Sequence, residues 1–438
     1  MNGHRPFNLK WLYPGMHVKR WLLLLFVGIT LGALGLALLL RNLYATGYRF
    51  PPSVYYLTLQ FWPRPVRGIV VGSIGLVAIA VAILRLQNSL LTVLMPQRNR
   101  DSLANLVFER RIARTGPRIV AIGGGHGLST LLSGLKNHTA AITAIVNVAD
   151  DGGSSGRLRR EYGVLPPGDI RRCLAALAEA DEGLMKQLFE YRFPAGKGLE
   201  GHSFGNLFIT ALDDLTGSFD QAIQAASEVL AVRGRVLPST LMEVNLSAEL
   251  RVPVGAEART IQGESQIAHG GLPIKRVFLS PADAPAYPPV VRAILEADAV
   301  IVGPGSLFTS LLPVLLIPEV LLALRATRAL RIYVCNVATE PGETDHFGVA
   351  DHINALLEHI GDNCIDLALV NDNDVPAGNF APEWQGRTEI VPVDVTGTPP
   401  LRLVTSDIIN PENPLRHDSR KLAAELMRLL RDRELYGR

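Results

Sequence analysis

Asn147-Val-Ala-Asp-Asp-Gly-Gly-Ser-Ser-Gly-Arg157 follows a β-branched apolar run, Ile142 to Val148, and contributes nothing to a core. The run predicts a short buried strand. The loop after it holds two carboxylates, glycines, serines and an arginine. Glycines let a backbone turn sharply against a ligand, and serines with free N–H groups receive phosphate oxygens. A second loop of this kind, Gly123-Gly-Gly-His-Gly127, follows the strand-like run Arg118 to Ile122. Ligand loops at the carboxyl ends of successive strands are where open α/β sheets bind phosphorylated small molecules.

Outward from these loops, strand and helix patterns alternate. A helix is expected from Leu128 to about Leu135. Pro166-Pro-Gly-Asp169 starts another over Ile170 to Leu177, and Leu184 to Tyr191, Ser203 to Leu215 and Phe219 to Val232 have helical spacing. Thr240 to Val252 alternates like a strand, with Thr260 to Ser265 as its hairpin partner. Alternation then resumes: helix Val290 to Ala297, strand Ala299 to Val302, the loop Gly303-Pro-Gly-Ser306 and a helix. Strand Arg331 to Val337, helix Val349 to Ile360, strand Ile365 to Val370 and helix Ser419 to Arg431 complete it, while Asn371 to Gly397 is loop-like. The fold class is α/β: a Rossmann-like, mainly parallel sheet with helices on both faces and a small β excursion.

The first hundred residues differ. Trp21 to Leu40 is twenty uncharged residues, ten of them Leu, and Gly68 to Leu84 is a second uncharged run of seventeen. At roughly −0.5 kcal/mol per central Leu, the first favours a bilayer by several kcal/mol. The second is at the short end of what crosses a hydrocarbon layer of about 30 Å. A two-helix transmembrane hairpin is therefore expected ahead of the sheet domain. The divisions are a basic tail at 1–20, the hairpin at 21–84, a juxtamembrane linker at 85–117 and the α/β domain at 118–438. Arg85, Arg98, Arg100, Arg110, Arg111 and Arg114 follow the second run and tip the domain toward the cytoplasm, as a multi-pass cell-membrane protein. Cys173, Cys335 and Cys364 have neither metal nor redox spacing, which agrees with a reducing compartment and buried packing roles. A net charge of +2 gives no case for a nucleic-acid partner.

Several constellations are candidates for chemistry. Gly124, Gly125, His126, Gly127 and Ser129 place a helix amino terminus behind a glycine loop. This is neither a Walker loop nor a good dinucleotide fingerprint, because Thr130 stands where the last glycine belongs. The poor fingerprint weakens an NAD-dependent oxidoreductase. Asp150 and Asp151 are the candidates for binding ribose, holding a divalent metal or acting as general base, against a helix-capping role for one of them. Ser154, Ser155 and Arg157 form an anion nest, and Asp169 with Arg171 and Arg172 opens the next helix. His202 and Asn206 stand four apart among glycines. Gly305, Ser306 and Thr309 repeat the strand, loop, helix logic, and Asn336 with Glu340 and Glu343 extends the same rim.

In order along the chain, Gly123 to Leu128, Ala149 to Leu158, Pro166 to Arg171, Gly201 to Asn206, Val302 to Ser310, Cys335 to Thr339, Gly342 to Thr344 and Leu415 to His417 resemble the YvcK family, the gluconeogenesis factors, within the CofD-like superfamily. The resemblance implies binding of a UDP-sugar, of the UDP-glucose or UDP-N-acetylglucosamine type, and a role in cell shape and envelope synthesis. It implies phosphate contacts at Gly124, Gly125 and Gly127, and sugar or pyrophosphate contacts at Asp150, Asp151, Ser154 and Ser155. Asn206, Ser306 and Thr309 would line the pocket, with Arg416 as a further contact. His126 and Phe308 stand where the family pattern often has Thr and Tyr. The expected protein is a membrane-anchored regulator with an envelope-synthesis protein partner and a homodimer as expected assemblies. The alternative is a 2-phospho-L-lactate transferase-like phosphotransferase with a nucleotide-activated donor, using Mg²⁺.

Overall fold

The computed structural model describes residues 116–179, 184–253, 257–373, 388–395 and 401–436, with scattered positions between 29 and 79. The chain divides into two compact units, Met1–Arg110 and Arg111–Arg438. In the first, the described positions between 29 and 42 and between 65 and 79 are helical. Among them Ile69, Ile74 and Val77 are exposed. The expected spans Trp21 to Leu40 and Gly68 to Leu84 fall largely outside the described residues. Among the described residues no single helix is long and apolar enough to cross a membrane. One bent pair, Leu307–Leu315 with Pro318–Ala326, has the composition but turns by 77°. Leu307, Leu311, Leu312 and Leu315 in it are fully buried, as in a soluble core.

Among the described residues the second unit has ten strands: β1 Ile119–Gly123, β2 Ile142–Val146, β3 Arg235–Pro238, β4 Asn245–Leu250, β5 Thr260–Gln262, β6 Ile274–Ser280, β7 Ala299–Val302, β8 Leu330–Val334, β9 Leu367–Asn371 and β10 Arg402–Ser406. Seven form one sheet in the order β10-β9-β8-β7-β1-β2-β3, and every pair in it is parallel. β1, β2, β7 and β9 are buried along their whole length. A strand covered by helices on both faces has no solvent side, so it reads as a continuous apolar run. Each fully buried Ile or Leu, such as Ile122, Leu131 or Ile145, contributes roughly 1.5–3 kcal/mol relative to exposure. The three cysteines are free and buried, as packing residues.

Strands β1 to β3 step outward in one direction and β7 to β10 in the other. The winding therefore reverses between β1 and β7, and a crevice opens there at the carboxyl edge. The helix Gly125–Leu135 leaves β1 at that point and packs against Gly168–Leu177 and Ser419–Tyr436.

Several elements differ from expectation. β3 and β10 were not evident from the sequence, since both are short edge strands with partly exposed residues and so lack an apolar run. The alternating stretch Thr240 to Val252 forms a strand only over β4. Its expected partner shrinks to the three residues of β5, and the longer partner is β6. The loop expected through Arg157 winds into the helix Gly153–Tyr162 already at Gly153. The segment after Gly303–Ser306 begins with a π-helical turn, Leu307–Leu311.

Candidate functional site

The first glycine loop ends in a helix of 11 residues, Gly125–Leu135, whose first bond runs from Leu128 N–H to the Gly124 carbonyl at 3.4 Å. The amides of Gly125, His126 and Gly127 consequently have no helical acceptor. The second loop repeats the device. In the helix Gly153–Tyr162, Gly156 N–H bonds the Gly152 carbonyl at 2.8 Å, which leaves Gly153, Ser154 and Ser155 as first-turn donors. Both amino termini, with the positive ends of their dipoles, open on one cavity of about 410 Å³. The third bend differs in part. Gly305 N–H donates to Asn336 Oδ1 at 3.2 Å, so that amide is engaged within the protein, while Ser306 stays on the cavity wall.

Of the residues singled out from the sequence, Gly124, Gly125, His126, Gly127, Asp150, Ser154, Ser155, Asp169, Arg171, Asn206, Gly305 and Ser306 line this cavity. Ser129, Asp151, His202, Thr309, Asn336 and Arg416 are not among its lining residues. Ser129 Oγ returns to its own helix, donating to the His126 carbonyl at 2.9 Å. Thr309 donates to Glu343 Oε1 at 2.8 Å, and Asn336 fastens the third bend. Arg416 acts through its charge: burial first, then Arg172 and Arg416, hold the His126 imidazole below its ordinary value.

The two aspartates part company. Asp150 Oδ1 accepts from Gly152 N–H at 2.8 Å and stays on the cavity wall. Asp151 Oδ1 accepts from Ser265 N–H at 2.8 Å, in the first turn of the short helix Glu264–Ile267. Asp151 is therefore a cap across 114 residues of chain, and the pair does not present two carboxylates to one ion. Among the described residues no group of three or more His, Cys, Asp or Glu is arranged to hold a metal.

The basic side chains on the cavity wall are Arg171, Arg172 and Arg192. Arg172 is paired with Asp169 at 2.7 Å, and Arg192 donates to the Gly201 carbonyl. Arg171 is 7% exposed, its Nε is buried without a partner, and among the described residues no hydrogen bond or ion pair reaches its guanidinium. Desolvation, then Arg172, lowers its pKa to about 10. Buried polar groups are otherwise satisfied as a rule, and a guanidinium fork left without a protein partner has the donors to receive an anion.

The carboxyls of Asp150, Glu264 and Glu340 also line the cavity. Burial, then Asp169, raises the Asp150 carboxyl. Burial raises Glu340 and, together with Glu340, Glu343. Glu264 reaches about 8 through burial, then Asp150, Asp151, Asp169 and Glu340. Sequence reasoning missed Glu264, Arg192, Asn147 and Ser310, all on the cavity wall. Asn147, at the strand end, and Ser310, closing the stretch Val302 to Ser310, had a signal. Glu264 enters from the antiparallel excursion, which no local pattern ties to the site.

The Glu264 shift has a testable consequence. The unfolded carboxyl ionises near 4.5 and the folded one near 8. Between those values the folded chain keeps a proton that the unfolded chain has released, so the contribution to stability present below 4.5 is lost as pH rises through 8. Glu264→Gln should match the native chain near pH 4.5 and exceed it by ~2 kcal/mol or more above pH 8. Urea unfolding at both pH values checks this, and an equal difference at the two would refute it.

The chain is similar to several known proteins. The family described as 2-phospho-L-lactate transferase CofD matches residues 119–409. A Nostoc relative is 45% identical over 433 residues, 96% of this chain and 92% of its own. The Bacillus subtilis protein named gluconeogenesis factor is 44% identical over 319 residues, 72% of this chain and 99% of its own. A crystal structure of a Bacillus halodurans protein superposes with a TM-score of 0.66 at 40% identity, covering 71% of this chain and 99% of that one.

Proposed function

The chain belongs to the CofD family, among relatives named gluconeogenesis factors, and from that premise we propose that its sheet domain is a regulatory receptor for a UDP-sugar. The observation that carries the reading is the convergence of two helix amino termini and the open Arg171 fork on one cavity. Two rows of free amides and an unpaired guanidinium match the charge of a diphosphate. The cavity, at about 410 Å³, is within the usual range for a small-molecule site. The carboxyls of Asp150, Glu264 and Glu340 on the same wall suit the hydroxyls of a sugar. Attachment through the two apolar runs is part of the proposal. It is supported by their length, by the exposed apolar positions Ile69, Ile74 and Val77, and by the Nostoc relative, which aligns over 96% of this chain. So placed, the domain would report nucleotide-sugar supply to an envelope-synthesis protein at the cell membrane and thereby affect cell shape.

The rival reading is a transferase with a nucleotide-activated donor, and Asp150 favours it in one respect. A half-buried carboxyl with a raised pKa on the cavity wall is a candidate general base. One experiment separates the two. Carbonate-washed membranes carrying the full chain are incubated with UDP-N-acetylglucosamine, and bound and released nucleotides are measured. Retention of the chain in the pellet with an intact bound ligand supports the receptor. Release of UMP supports the transferase, and no binding of UDP-glucose, UDP-N-acetylglucosamine or UDP would sink both. Recovery of the chain in the supernatant would remove the membrane attachment alone.

A further inference from the structure

Ser154 is held more firmly than a first-turn serine requires. Its Oγ stands 2.8 Å from His202 Nδ1 and accepts from Asn206 Nδ2 at 3.0 Å. Ser154, His202 and Asn206 are 7%, 3% and 3% exposed. Ser154 and Asn206 line the cavity, and His202 is outside its lining set. A hydroxyl has one proton to give and two lone pairs to receive with. Asn206 occupies one lone pair. The histidine tautomer decides the rest. With its proton on Nδ1 the ring fills the second lone pair, and the Ser154 proton is free for the cavity. With the proton on Nε2 the ring takes the Ser154 proton, and the serine shows the ligand a lone pair instead.

We propose that His202 is a positioning residue which, as the Nδ1–H tautomer, turns the Ser154 hydroxyl proton onto an anionic oxygen of the ligand. The inference rests on the diphosphate reading of the cavity. It goes beyond that reading by giving a role to a histidine that is not among the lining residues. The surroundings choose the tautomer. The first-turn amides of Gly153, Ser154 and Ser155 draw an anionic oxygen to this corner, where a lone pair on Ser154 would repel it and an O–H would bind it. A ligand shifts such an equilibrium by its difference in affinity for the two states. Burial, then Arg157, keeps His202 below its ordinary pKa, so near neutral pH the ring has one proton to place.

The test is a double-mutant cycle on the full chain, titrated with UDP-N-acetylglucosamine and with inorganic pyrophosphate. Ser154→Ala and His202→Ala should each weaken both ligands about tenfold. The double variant should be no weaker than Ser154→Ala alone, because the histidine acts through the serine. His202→Asn, whose amide N–H takes the place of Nδ1–H, should stay within about threefold of the native chain, while His202→Asp, an acceptor there, should not. The Asn and Asp variants carry the test should the Ala variant fail to fold. Additive losses, an unchanged His202→Ala, or equal binding by the Asn and Asp variants would each overturn the proposal. A sugar-phosphate ester on Ser154 with release of UMP, seen by mass after incubation with UDP-N-acetylglucosamine, would overturn it in favour of a nucleophilic serine. If the native chain binds neither ligand, the diphosphate reading itself fails, a result distinct from additivity.

Discussion

Replacing Arg171 by methionine should weaken UDP-sugar binding by about 100-fold or more and, in the same protein, make the apo fold harder to unfold. The two effects share one cause. The guanidinium is taken out of water with no protein partner to compensate, so the free fold bears a desolvation cost that only an anion relieves. Truncating one member of a buried, hydrogen-bonded charge pair costs about 2–5 kcal/mol in the complex, and 2.7 kcal/mol is about 100-fold in affinity. Replacing buried charge by an apolar side chain of similar size is often neutral or stabilising by about 1–4 kcal/mol. Methionine is the informative replacement because the Arg171 stem lies across Gly205. A Cβ built there would stand 2.8 and 2.9 Å from Arg171 Cδ and Cγ, so an unbranched chain preserves that contact. Arg172→Met should lose less affinity, since Arg172 is paired with Asp169. Titration calorimetry and urea unfolding read the two quantities. A variant that binds normally, or loses stability together with affinity, would show that Arg171 has a structural partner and is not reserved for the ligand.

Arg171 was legible in the sequence because it follows Pro-Pro-Gly-Asp at a helix start, and the glycine loops were legible for a similar reason. A parallel strand buried on both faces leaves an unbroken apolar run, as in β1, β2 and β7, and a polar glycine-rich break after such a run stands out. Edge strands leave no such trace: β3 ends in a proline and β10 is partly exposed. Distant partnerships were hidden altogether. Asp150 and Asp151 are equivalent on paper, and what separates them is Ser265, which takes one carboxylate and sits on an excursion with no marked relation to the sheet. Thr309 and Asn336 read as ligand contacts because they are polar residues beside glycines. Their side chains are instead engaged by Glu343 and by the Gly305 amide. Position along a rim is local information, whereas the occupancy of a hydrogen-bonding group depends on which segment folds over it.

Gly127→Ala is the smallest change expected to disable the site, and it should do so by moving backbone. A methyl group there would stand 2.6 Å from the Pro304 carbonyl carbon and 2.9 Å from Gly305 N, and closer still to the Pro304 oxygen. These are main-chain atoms of the loop after β7, which pairs with β1 along its length, so no rotamer relieves the contact. The loop is also fastened from behind. Gly305 N–H is bound to Asn336, and the carbonyl of Thr309 accepts from Asn147 Nδ2 at 2.9 Å. The helix amino terminus at Gly125–Gly127 must therefore yield, and with it the donors aimed at the diphosphate. Overpacking of this kind costs about 1–3 kcal/mol of stability. A shift of about 1 Å in oriented donors is enough to lose most of their benefit, so binding should fall below detection while the chain still folds. Ser129→Ala, half a turn further along the same helix, removes only a hydroxyl bonded to the His126 carbonyl and should change stability by no more than about 0.5 kcal/mol. Urea midpoints and UDP-sugar titrations of both variants decide the matter. Native affinity in Gly127→Ala would mean that the β1 and β7 loops do not jointly set the anion site, and the receptor reading would have to rest on the second helix alone.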